Sequence, residues 1–259
     1  MTIMTKPPAS AKSRSLIGAI VVVPAAKAWR SAIRTGNGRS RVVTCAFAAA
    51  LLTVLAANAR AVEIKIVEDA DDKAVTILLS GPMASGDALR VRSFIGGVAA
   101  SKPIVVQLAI SGGFRTDAMS IGRFLYQSRI RTVVPAKARC TSPCPLVLVG
   151  GRDPATGRPS HIKFSSAGLG FTSVHPNFQD KDYTAADLDS AVANTQLDIL
   201  QIADYLRDVG ANMNMLRFYQ SVLKQNETQY ITNEQALDLG ISILFEETGQ
   251  VIEPSKLRQ

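Results

Sequence analysis

Three side chains capable of chemistry fall within five positions, Cys140-Thr141-Ser142-Pro143-Cys144. Residues four apart share one face of a helix with Cα atoms about 6 Å apart, within disulfide reach. The cysteines therefore admit two readings, a local disulfide or two small buried thiols. A third, metal ligation, lacks the nearby histidine or third cysteine that completes a tetrahedral set. A serine attacks only when a base takes its proton, and the chain has two histidines, His161 and His175. His161 stands at the edge of a predicted strand, and His175 precedes a proline in a predicted loop. Read locally, Ser142 is a hydroxyl that caps the helix after it. There is no phosphate-binding glycine loop, zinc spacing or dinucleotide fingerprint, so no cofactor and no metal are implied.

The elements that would position these groups alternate between strand and helix. Val62 to Val67 alternates as a half-buried strand, with Ile64 and Ile66 inward and Glu63 and Lys65 outward. Ala74 to Leu79 predicts a second strand ended by Gly81-Pro82. Asp87 to Ala100 is a helix with Leu89, Phe94, Ile95 and Val98 on its apolar side. Ile104 to Ile110 is a continuous apolar run typical of a strand covered on both faces, and Ser111-Gly112-Gly113 follows it. A helix over 116–127, a short strand over 132–134 and a turn into a helix over 140–150 come next. Arg152 to Ser160 reads as a surface loop, and His161 to Thr172 as extended chain. The clearest helix runs from Ala185 to Val209, with Leu188, Val192, Thr195, Ile199, Ile202, Leu206 and Val209 in one narrow stripe. A shorter helix follows over 213–223. Thr232 then caps another with Gln235 as its reciprocal partner, Gly240 ends it, and 241–245 is a last strand. The pattern predicts an α/β chain with a largely parallel sheet layered with helices.

Charge is divided unevenly. Of 29 Lys and Arg, nine lie in residues 1–61 with no acid, leaving 20 bases against 21 acids in residues 62–259. The net charge of +8 thus belongs to the leader, which removes the main support for nucleic-acid binding. Within the leader, Arg39-Ser40-Arg41 precedes an apolar run over 42–57 and then Ala59-Arg60-Ala61. A basic start, a short apolar stretch and small residues at a cut site form a secretory signal. The alternative is an uncleaved inner-membrane anchor over 42–57, the only membrane contact the sequence suggests. The chain thus divides into a leader, 1–61, and a single domain, 62–259, placed in the periplasm or secreted, where disulfides survive.

Three segments in order resemble the Clp protease proteolytic subunit and its crotonase-fold relatives. They are Val106-Gln107-Leu108-Ala109-Ile110-Ser111-Gly112-Gly113, then Cys140 to Gly151 (CTSPCPLVLVGG), then Tyr230 to Ile241 (YITNEQALDLGI). The second is similar to the serine-bearing turn of an exported bacterial branch carrying Cys-x-Ser-Ala-Cys. The third is similar to the family's Phe-Leu-Ser-x-x-Glu-Ala-x-x-Tyr-Gly-Leu stretch. The resemblance implies a ClpP/crotonase-like layered parallel sheet with flanking helices. It places Ser142 at the nucleophile position and Gly113 at one oxyanion position. The family's histidine position, in its Gly-x-His stretch, falls on Thr172, and its aspartate position on Thr228.

Such a protease needs a serine, a histidine to deprotonate it, an aspartate to orient the histidine, and two backbone N–H donors for the oxyanion. The second donor belongs to the residue after the serine, here Pro143, which has no N–H. Losing one such donor costs about 100- to 1000-fold in rate, and threonines replace both base and orienter. The expected function is therefore an exported Clp-protease-like protein without peptidase activity that acts by binding or assembly. A homo-oligomer and a peptide or protein ligand are the partners the resemblance implies. The alternative is a serine hydrolase using Ser142 with His175 as substitute base and Glu227 beside the aspartate position. An acyl-CoA crotonase and a redox role for Cys140 and Cys144 are further alternatives. Arg115, Arg123 and Arg139 lie near the site in sequence and could present charge to an acidic ligand.

Overall fold

In the computed structural model, residues 61–67, 74–98, 102–172, 182–221 and 227–254 are described. Residues 1–60 of the leader, with its apolar run and Cys45, and also His175, lie outside the described residues. The larger sheet has the order β1-β2-β3-β4-β6-β9-β10, formed by β1 (Glu63–Val67), β2 (Val75–Met83), β3 (Ile104–Gly113), β4 (Arg131–Val134), β6 (His161–Phe164), β9 (Ser242–Leu244) and β10 (Val251–Ile252). β2, β3, β4, β6 and β9 run parallel, while β1 and β10 pair antiparallel at the two edges. A smaller sheet holds β5 (Arg139–Thr141), β7 (Gly168–Thr172) and β8 (Thr228–Tyr230), with β5 parallel and β8 antiparallel to β7. The helices among the described residues are α1 (Asp87–Gly97), α2 (Arg115–Gln127), α3 (Cys144–Leu148), α4 (Ala185–Asp208), α5 (Met215–Ser221) and α6 (Asn233–Asp238). The chain is therefore mixed α/β with a mostly parallel main sheet.

Sequence and structure part at particular residues. β3 buries Val106, Leu108 and Ile110, but Gln107 and Ala109 are only half-buried, so its second face is less covered than the continuous apolar run suggests. β2 runs through Gly81-Pro82 instead of stopping there. β1 pairing ends at Ser80, and the β3 register shifts between Gly81 and Met83, so Pro82 falls where the ladder is already broken. Ile66, expected inward, is 56% exposed on the edge strand. On α1 Val91 and Ile95 are buried and Phe94 packs on the core partly buried, as does Val98 just after it, whereas Leu89 faces solvent. The stretch 161–172 is two strands in different sheets.

Local chemistry fixes several junctions. The buried Asp87 carboxylate accepts from the backbone N–H of Val62 (2.8 Å) and Ala84 (2.7 Å) and pairs with Arg90, tying the entry of β1 to α1. Thr184 and Asp187 form a reciprocal capping box on α4, and Thr232 with Gln235 forms the expected one on α6. Arg152, expected on a surface loop, is buried instead. It donates to the carbonyls of Val149 and Val209, the C-cap residues of α3 and α4, and to that of Gly151, and stacks on Tyr126 at 4.5 Å.

Candidate functional site

β5, a tight turn and α3 carry the Cys-x-Ser-Pro-Cys run. Cys140 lies in β5 and Cys144 opens α3, so the two do not share a helix. They form a disulfide with Cα atoms 5.2 Å apart, both fully buried, which settles the choice against free thiols. Among the described residues no group of three or more His, Cys, Asp or Glu could hold a metal. No helix of the described residues is long and apolar enough to cross a membrane.

Ser142 sits within this bridge, 7% exposed. Its backbone N–H donates to the Gly170 carbonyl (3.0 Å), extending the β5–β7 ladder. Its Oγ accepts from the Thr172 backbone N–H (3.1 Å). The expected helix-capping role is therefore corrected: the N-cap of α3 is Pro143, with no side-chain cap bond. The Ser142-Pro143 bond is cis, and the Pro143 carbonyl accepts from Leu146. With no hydrogen on its nitrogen, Pro143 offers the turn no donor.

The positions aligned with base and orienter lie together. Thr172 pairs across the β7–β8 ladder with Thr228, so Ser142, Thr172 and Thr228 form one contiguous set. Gly170 allows this closeness, since a Cβ there would come within 2.6 Å of the Thr228 methyl. Glu227 is exposed beside Thr228. Gly113 ends β3 with φ +112°, and a Cβ on it would meet the Met83 carbonyl oxygen at 2.0 Å, so packing of β3 on β2 already demands glycine there.

Tyr219, from α5, is the neighbour that sequence reasoning missed. It is buried and packs edge-on against Phe171 at 5.0 Å between centroids. Burial pushes its phenol far above the usual range, and nearby Ser142 and then Arg115 pull the other way. The two hydroxyls are electrostatic neighbours that miss hydrogen-bond geometry, for Tyr219 Oη has no partner that meets it. A phenol held protonated in this way cannot take the serine proton near neutral pH. The one sequence signal for Tyr219 was its place one helical turn after Met215, which is also buried.

The remaining candidates are committed elsewhere. His161 Nε2 donates to the Gly240 carbonyl (2.9 Å), and burial first, Arg152 second, lower its pKa to about 4. Its ring is thus neutral at pH 7 and holds β6 to the turn after α6. Arg115 pairs with Asp198, and Arg123 pairs with Asp208 (3.1 Å) and lies over the Tyr205 ring. Arg139 lies over Tyr230 at 5.8 Å. Two of the three arginines proposed for an acidic ligand are thereby neutralised within the chain. No family model and no curated protein sequence matches this chain.

Proposed function

We propose that this is an exported protein of Clp protease/crotonase-like fold, without serine peptidase chemistry, that acts by binding or assembly. The observation that carries the reading is the setting of Ser142. Its Oγ accepts a backbone N–H from Thr172, which pairs with Thr228 across the ladder, a protonated Tyr219 lies beside it, and a proline follows it. Among the described residues that environment supplies neither a base nor the second oxyanion donor. The parallel run β2-β3-β4-β6-β9, with β5 and β7 forming the wall of the serine turn, supports the likeness of fold. The buried disulfide supports folding in an oxidising compartment.

A fluorophosphonate probe tests the proposal, because it labels only serines whose hydroxyl is activated. Incubation of the full chain is expected to give no labelling above a Ser142→Ala control. Labelling that disappears in Ser142→Ala and also in His175→Ala would establish the hydrolase and overturn the proposal.

A further inference from the structure

The Asp87 carboxylate, 1% exposed, reaches 25 residues back along the chain to accept the Val62 backbone N–H at 2.8 Å. The same oxygen takes the Ala84 N–H at 2.7 Å. The other oxygen takes Arg90, whose guanidinium also reaches the Val62 carbonyl at 3.4 Å. Val62 is itself fully buried, whereas Ala61 before it is exposed, so the chain enters the core at the bond between them. An amide gives this buried carboxylate a neutral donor. An ammonium at the same place would add an opposite charge and a stronger hydrogen bond.

The sequence pattern points to a cut at this same bond, because Ala59-Arg60-Ala61 is a small-x-small run after a short apolar stretch and Val62 comes next. From this we infer that a peptidase reading that run removes the leader between Ala61 and Val62, and that Asp87 captures the new Val62 ammonium as an ion pair locking the mature domain. The cut is a hydrolysis. Water oxygen joins the Ala61 carbonyl carbon, the C–N bond breaks, and both water protons end on the Val62 nitrogen, leaving a carboxylate and an ammonium. One ammonium hydrogen keeps the amide's place on Asp87 Oδ2, and the others face the space where exposed Ala61 stood, which water reaches. Burial sets the order of events: the bond fits a peptidase only before Val62 packs, so cutting precedes the docking of β1. The charged groups around the site are Asp87 and Arg90 of α1, Asp117 of α2 on the same turn, and Glu63 of β1, which pairs with Lys65. Arg90 is half in solvent and holds the other carboxylate oxygen, which leaves Oδ2 to the ammonium. Asp117 accepts the Gly86 and Ala88 N–H groups at 3.0 and 2.9 Å. The anchored terminus, the turn after β2 and the start of α2 thus form one hydrogen-bonded unit. The inference rests on the export reading and says nothing of Ser142.

Export of the full chain in a bacterial host, followed by intact mass and amine labelling of the purified product, tests it. The expected product begins at Val62. An acetylating N-hydroxysuccinimide ester should modify its amine at least about tenfold more slowly in the native protein than in urea, while exposed Lys137 reacts alike in both. The pH of half-maximal labelling should lie at least about one unit above the 7.7–8.0 of a free α-amine, and Asp87→Asn should return it to that range. Where Asp87→Asn does not fold, the midpoint of the wild-type product decides alone. A product beginning at another residue, an amine equally reactive folded and unfolded, or a midpoint at the free value would each overturn the lock and leave the export reading standing. A chain retained uncut in the cytoplasm would overturn both.

Discussion

Lowering the pH from 7 toward 4 is expected to destabilise the fold through one side chain, His161. The ring is buried, with Nε2 bonded to Gly240 and Nδ1 without a partner in hydrogen-bond geometry. Burial and the positive charge of Arg152 bring its pKa from 6.5 to about 4, against the opposing pull of the Gly240 and Gly151 backbone. Since the folded value lies below the unfolded one, the stabilisation is complete above about pH 6.5 and is lost as the pH falls through about 4. The slope reaches about 1.4 kcal/mol per pH unit, and the whole loss is about 3 kcal/mol. Urea unfolding of the wild-type chain and His161→Gln at several pH values between 7.5 and 4 isolates it, because glutamine can keep a donor toward Gly240 and cannot ionise. The carboxylates held low by local hydrogen bonds, Asp153 and Glu246, are present in both proteins and cancel in the difference. The stability advantage of the wild type over His161→Gln should shrink by about 3 kcal/mol across this window. A difference that stays constant with pH would refute the buried, neutral assignment and return His161 to the candidate bases.

Reducing the Cys140–Cys144 bridge, or replacing both residues by serine, should cost about 2 kcal/mol, the loop-closure value for five residues. Urea midpoints with and without dithiothreitol measure it, and the double-serine protein should not respond to the reductant. Tyr205→Phe removes a donor to the buried Leu146 carbonyl in α3 and is expected to cost about 1–3 kcal/mol without changing the probe result at Ser142. The same unfolding assay reads it.

Elements whose signal is local were legible. The Thr232–Gln235 box needs only residues three apart, and β3 and α4 carry long, regular patterns. What the patterns could not specify was the object each face meets. Leu89 fits the period of α1 but looks outward, because α1 packs through Val91 and Ile95. The stripe of α4 meets the chain's own core only from Ile199 onward, and Leu188 and Val192 at its start are exposed. Arg152 reads as a loop residue because its partners, the carbonyls before it and Val209, are brought together only by the tertiary fold. The disulfide was one of two open readings, since spacing alone cannot distinguish a helix from a strand-to-helix turn. Tyr219 carried no local sign of its place beside Ser142, which depends on α5 meeting β7.

In the proposed reading, the residues around Ser142 suit the fold one by one, while Thr172, Thr228 and Pro143 stand where the resemblance places the base, its orienter and the second oxyanion donor. Pro143 supplies the carbonyl that starts α3 and gives up an N–H that no backbone bond there requires. Thr172 and Thr228 face each other in an antiparallel ladder, a position that β-branched residues suit. Gly113 remains glycine, yet its left-handed backbone and its contact with Met83 account for that without any oxyanion. Each retained feature thus has a structural cause, while each feature that only catalysis would require is missing from the described residues.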